Sequence, residues 1–168
     1  MAAKGRRSGH HNPAYVAVRG SQGPRREFKI TVGLRAGYGP HGRIYDLEQA
    51  VRATDQWMIG RIRRGETFLT GMFTRGEILY ARSPPHTDRE PVAIFSGEAL
   101  PLEARTLDDT TVEALLNELA AEMARTLEQE EVYIAYRDRT WTLRKSPSSA
   151  GRTASAVLGS RAHKRARP

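Results

Sequence analysis

From Glu27 the chain alternates apolar and polar positions, with Phe28, Ile30, Val32 and Leu34 set against Lys29, Thr31 and Arg35. A period of two is the pattern of a strand with one buried face. A Gly-rich stretch, Gly37 to Tyr45, follows, and the period then changes. Leu47, Val51, Thr54, Met58 and Ile62 recur at helical spacing, widened by Ala50 and Trp57. Asp46 stands where an N-cap belongs, with Gln49 three residues on to complete a capping box. Arg61, Arg63 and Arg64 suit the negative end of the helix dipole, and Gly65 suits its C-terminal cap.

Residues 67–82 read as β-rich. Gly71 and Gly76 fit bulges in one long strand, and Arg75-Gly76 fits equally well the turn of a hairpin. Pro84-Pro85 predicts a loop over Ser83–Glu90, because proline cannot donate to a ladder. Pro91–Ser96 predicts another strand. A second helix is expected from a Thr110/Glu113 capping box, with Val112, Leu115, Leu116, Leu119, Met123 and Leu127 as an unbroken stripe. Val132–Tyr136 then reads as a strand, and Arg137-Asp138-Arg139 as a turn into a short last strand bearing Trp141 and Leu143. The expected fold is α+β: an antiparallel sheet with two helices on one face and an extra C-terminal strand.

This βαββαβ order resembles the ferredoxin-like superfold, and the long middle hairpin is similar to that of PII-type and CutA-type small trimeric proteins. The resemblance is topological and spans roughly residues 27–136. It implies a bare sheet face, where Phe95 and Tyr133 are candidates for a homo-oligomer interface.

The formal charge of +8 divides unevenly along the chain. Residues 1–26 hold Lys4, Arg6, Arg7, Arg19, Arg25 and Arg26 without an acid, and residues 146–168 hold Arg152, Arg161, Lys164, Arg165 and Arg167 likewise. These arms carry +6 and +5, which leaves −3 on the body, residues 27–145. Rich in Gly, Ser, Pro and Arg, both arms read as disordered. In the first, Tyr15, Val16 and Val18 form a lone apolar cluster. Acid-free basic arms suit a polyanion, most simply nucleic acid, held without sequence readout.

Candidate chemistry in the body is sparse. There are no cysteines, which excludes disulfides, thiolate metal sites and thiol nucleophiles. No metal or cofactor is expected, because no His/Asp/Glu set has ligand spacing and the body's only histidines are His41 and His86. Asp108-Asp109 and Glu130-Glu131 lie at helix ends, where charge has a structural use. Gly37-Tyr38-Gly39-Pro40-His41-Gly42 spells a G-x-G-x-x-G between a strand and a helix. Pro40, the acidic cap Asp46 and the strand–strand order argue against a dinucleotide site. Its milder reading is a ligand loop formed by Arg35, Tyr38, His41, Arg43 and Tyr45.

No apolar run is long enough to span a membrane, and no secretory signal opens the chain, so a cytoplasmic protein without a membrane partner is expected. The leading expectation for function is a non-enzymatic accessory protein, an oligomeric α+β core with polyanion-binding arms. The alternative is a PII-like small-ligand or partner-sensing module that uses the Gly37–Tyr45 loop.

Overall fold

The computed structural model describes residues 19, 23–37, 41–83, 86–99 and 107–146, with the Arg82 side chain excluded. The elements are β1 (Glu27–Gly33), α1 (Leu47–Arg63), β2 (Met72–Ser83), β3 (His86–Glu98), α2 (Asp109–Thr126), β4 (Glu131–Tyr136) and β5 (Arg139–Arg144). They form one five-stranded sheet in the order β2-β3-β1-β4-β5, every pairing antiparallel. The fold is a small α+β, ferredoxin-like one with a fifth strand added beside β4.

β1 is central, and its alternation is resolved by the helices. Phe28, Ile30 and Val32 point into the core, as does Leu34 just beyond the strand. The registers place Phe73, Phe95, Ile30, Ile134 and Trp141 side by side across all five strands. The ring centroids of Phe28 and Phe73 lie 5.7 and 5.0 Å from that of Phe95. α2 covers this row with Val112, Leu115, Leu116, Leu119 and Met123, while α1 adds Ala50, Ala53 and Trp57. Two indoles tie the layers together, as a buried N–H requires. Trp57 Nε1 donates to Glu118 at 2.9 Å, joining the helices, and Trp141 Nε1 donates to Asn117 at 2.7 Å, fixing β5 to α2.

The ends of α1 follow the sequence closely. Gln49 Oε1 accepts from the Asp46 amide at 2.9 Å, and Gly65 closes the helix at φ 68°, a left-handed conformation that glycine adopts at little cost. α2 starts earlier than the Thr110/Glu113 box predicts. Asp108 is its cap and accepts from the Thr111 amide at 2.7 Å, while Glu113 is paired with Arg139.

The largest departure concerns residues 67–98. Residues 72–83 form one strand rather than a hairpin about Arg75-Gly76, and Ser83–Glu90 is not a loop, since β3 already begins at His86. Ser83 and His86 pair with each other, and Pro84 and Pro85 between them lie outside the described residues. In the outer part of this hairpin Leu79, Tyr80 and Thr87 are exposed. Without a helix above them they need no apolar alternation, so the sequence there carries no strand period.

Candidate functional site

The polar positions of β1 face away from the helices, and its odd-numbered residues Thr31, Gly33 and Arg35 lead along the open sheet face into a cleft. β3 supplies Asp88, Glu90 and Val92 to the same cleft, β2 supplies Ile78 and Tyr80, and the segment from α2 into β4 supplies Gln129, Glu130, Glu131 and Tyr133. The pairings explain the convergence. Ile78 lies opposite Glu90 and Tyr80 opposite Asp88, while Thr31 lies opposite Tyr133. Successive side chains on one face of a strand are two residues apart, so four neighbouring strands bring these three pairs to one place.

Gln129 holds the floor. It is 8% exposed, and its Nε2 donates at 2.8 Å to the carbonyls of both Arg35 and Leu127. That pair of hydrogen bonds ties the chain just beyond β1 to the α2–β4 connection. Glu128 turns the chain there with φ 53°, and the Gln129 amide donates back to the Ala124 carbonyl at 2.8 Å.

Four carboxylates and one guanidinium line the cleft. Glu130 pairs with Lys145 at 3.2 Å, and Glu131 Oε1 accepts from Arg144 Nε at 2.6 Å. Tyr133 donates to Glu131 and Tyr80 to Asp88, each at 3.3 Å. Glu90 differs: among the described residues it makes no hydrogen bond or ion pair. Its carboxyl is pushed above the ordinary range by burial, an effect opposed by Arg35 and reinforced by Asp88. The Tyr133 hydroxyl is raised too, first by burial and then by Glu131. A half-buried carboxylate whose charge is disfavoured by burial, in a cleft that also holds tyrosine rings, suits a cation. Among the described residues no group of three or more His, Cys, Asp or Glu is arranged to hold a metal ion.

The ligand loop expected at residues 35–45 is taken apart by the structure. Arg35 lines the cleft. Tyr45 is 4% exposed and belongs to the core, so it cannot stack on a ligand. Arg43 lies over the Tyr45 ring at 4.9 Å, and His41 is exposed; neither reaches the cleft. Tyr38 lies outside the described residues. The loop closes on itself instead, through Ala36 N–H to Arg43 O at 2.8 Å and Tyr45 N–H to Leu34 O at 2.7 Å.

Phe95 and Tyr133 do not share a face. Phe95 is buried in the helix-side core at 2% exposure, whereas Tyr133 stands on the open face at 52%. Phe95 is therefore no interface residue. The register with Ile30 places Phe95 on the core side.

Of the basic arm positions, Lys4, Arg6, Arg7, Arg152, Arg161, Lys164, Arg165 and Arg167 lie outside the described residues, as does the Tyr15–Val18 cluster. Arg26 is no free arm charge. Its Nε donates to the Tyr136 hydroxyl at 2.8 Å, and its Nη2 donates to Asp109 at 2.9 Å. Arg25 is paired with Glu27.

The site residues that sequence reading passed over are acids and tyrosines without a motif. Glu130-Glu131 carried a structural explanation, and Asp88 and Glu90 were assigned to a loop. Thr87 to Glu90 are all polar, so no alternation in the sequence marks Asp88 and Glu90 as strand positions.

No protein-family model matches the chain, and no curated protein matches it. Solved structures do. A phage SAM lyase in complex with S-methyl-5'-thioadenosine superposes with a TM-score of 0.54 at 17% identity, covering 74% of this chain and 92% of that one. The phage SAM lyase in its apo state gives a TM-score of 0.56 at 17% identity, covering 79% and 97%. At this identity the likeness is one of fold. It nonetheless overturns the expectation of a non-enzymatic nucleic-acid binder or PII-like sensor, because the neighbours that share the fold are an enzyme. Among the described residues no helix is long and apolar enough to cross a membrane.

Proposed function

We propose that this chain is a lyase acting on a sulfonium nucleoside of the S-adenosylmethionine class, working at the cleft of Arg35, Glu90 and Tyr133. The observation that carries the reading is Glu90, a half-buried carboxylate in a cleft that Arg35, Tyr80 and Tyr133 also line, its carboxyl raised by burial. It lies in a fold shared with a lyase of that substrate along nearly the whole length of the lyase chain.

The chemistry is consistent with such a site. S-adenosylmethionine carries a sulfonium and an ammonium, and both favour carboxylates and aromatic faces over water. Breaking a carbon–sulfur bond leaves the electron pair on sulfur, so the cation departs as a neutral thioether. A lyase consumes no water: the other fragment is satisfied by losing an adjacent proton or by closing on its own carboxylate. The acids that hold the substrate therefore lose most of their grip on the thioether, which favours release. Attraction for the cation alone lowers KM without raising kcat. Rate must come from holding the amino-acid arm in a reactive geometry, which the Gln129-braced floor supports.

The test is to incubate the full chain with S-adenosylmethionine and separate the products by reverse-phase chromatography. Accumulation of S-methyl-5'-thioadenosine, with kcat/KM lowered about tenfold or more in Glu90→Ala, is expected. Absence of turnover together with absence of binding of either compound overturns the reading.

A further inference from the structure

Two concavities meet on the open sheet face. The charged cleft has room for only about 70 Å³, the space of two or three water molecules and far less than a purine nucleoside occupies. It opens onto a groove of about 560 Å³ floored by the sheet. Thr31, Ile78, Val92 and Tyr133 line both, so the two are one continuous depression with unlike halves. The groove adds Ile94, Thr140 and Thr142, and among the described residues its charged lining side chains are Lys29 and Glu77. Among the described residues that line it, the cleft holds four carboxylates and the Arg35 guanidinium.

Resting on the lyase reading, we infer that this depression reads its substrate in two halves: the cleft takes the amino-acid end, with Arg35 on the carboxylate and the acids on the ammonium, and the groove takes the nucleoside. The sizes force this orientation. A zwitterionic headgroup matches a small cleft carrying both signs of charge, and a planar heterocycle matches a wide apolar floor. Tyr133 lies at the junction, where the sulfonium of a molecule laid across both halves must fall. Arg35 is thus a specificity-determining residue. A guanidinium recognises a carboxylate with two parallel N–H donors, a geometry no single amide reproduces.

The orientation separates substrate from product. S-methyl-5'-thioadenosine has no amino-acid arm and uses only the groove, so Arg35 contributes nothing to its binding. The experiment compares wild type, Arg35→Gln, Arg35→Lys and Tyr133→Ala on the full chain. KM is measured for S-adenosylmethionine and for its decarboxylated analogue, and affinity for S-methyl-5'-thioadenosine is measured by calorimetry. For Arg35→Gln, KM for S-adenosylmethionine should rise about ten- to a hundredfold. Its preference over the decarboxylated analogue should be lost, and thioadenosine affinity should stay within about twofold. Arg35→Lys should recover part of the preference, and Tyr133→Ala should weaken both ligands.

Unchanged thioadenosine binding also shows that Arg35→Gln is folded. Equal weakening of both ligands by Arg35→Gln, or a preference that survives it, overturns the orientation while leaving the lyase reading intact. A wild-type chain that binds neither compound overturns both.

Discussion

Gly33 and Glu90 touch across the wall of the cleft: a methyl group on the Gly33 α-carbon would overlap the Glu90 Oε1 atom, and Gln129 Oε1 as well. β1 therefore passes behind the two side chains that shape the site only because residue 33 has none. Gly33→Ala should cost about 1–3 kcal/mol through overpacking and should push Glu90 and Gln129 out of place. Denaturant unfolding measures the first effect, and loss of S-adenosylmethionine binding measures the second. A variant as stable and as active as wild type would show that the contact is not there.

Glu90 makes stability and function oppose each other. Its carboxyl is raised, so the charged form is disfavoured in the folded state and lowers stability at pH values above the folded pKa. That penalty disappears as pH falls toward the unfolded value of about 4.3. Glu90→Gln should accordingly be more stable than wild type at neutral pH, with the difference closing in acid. Binding of S-adenosylmethionine by wild type should weaken as pH falls through the raised value, while Glu90→Gln stays weak throughout. Thermal melts and calorimetry across pH 4 to 8, a range chosen to bracket a raised carboxyl, check both.

Asp109 has the opposite sign. It accepts from the Tyr136 hydroxyl at 2.7 Å and is paired with Arg26 and Arg137, and these partners, Tyr136 first, hold its carboxyl below the usual range. A depressed carboxylate stabilises the fold above its unfolded value of about 3.9, and that contribution is lost as pH falls through the folded value. Asp109→Asn should melt below wild type at neutral pH, and the gap should close in acid below about pH 4. A gap independent of pH would assign the loss to packing rather than charge.

Phe95 and Tyr133 should separate cleanly on substitution. Phe95→Ala removes a ring packed between Phe28 and Phe73 and should cost about 3–5 kcal/mol. Tyr133→Ala, on the open face, should change stability by about 1 kcal/mol or less while weakening nucleoside binding. Chemical denaturation of both variants measures the contrast.

Elements lying under or within the helix layer were legible from sequence because burial imposes a period. The β1 alternation, the α1 stripe with its Gln49 and Gly65 ends, and the α2 stripe from Val112 to Leu127 all correspond to buried faces. The β2–β3 hairpin was not legible beyond Pro91, because strands exposed on both faces are under no such constraint.

The order of β1, α1, α2 and β4, and with it the ferredoxin-like topology, follows from local periodicity. The cleft does not. Arg35, Glu90 and Tyr133 come from three strands separated by dozens of residues, and the antiparallel pairings about β1 bring them together. Side-chain direction flips with every residue along a strand, so a one-residue change of register would send Tyr133 to the core and Phe95 to the open face. Sequence determined which faces are apolar; only the tertiary pairing decided which acids, which arginine and which tyrosines look into the same space.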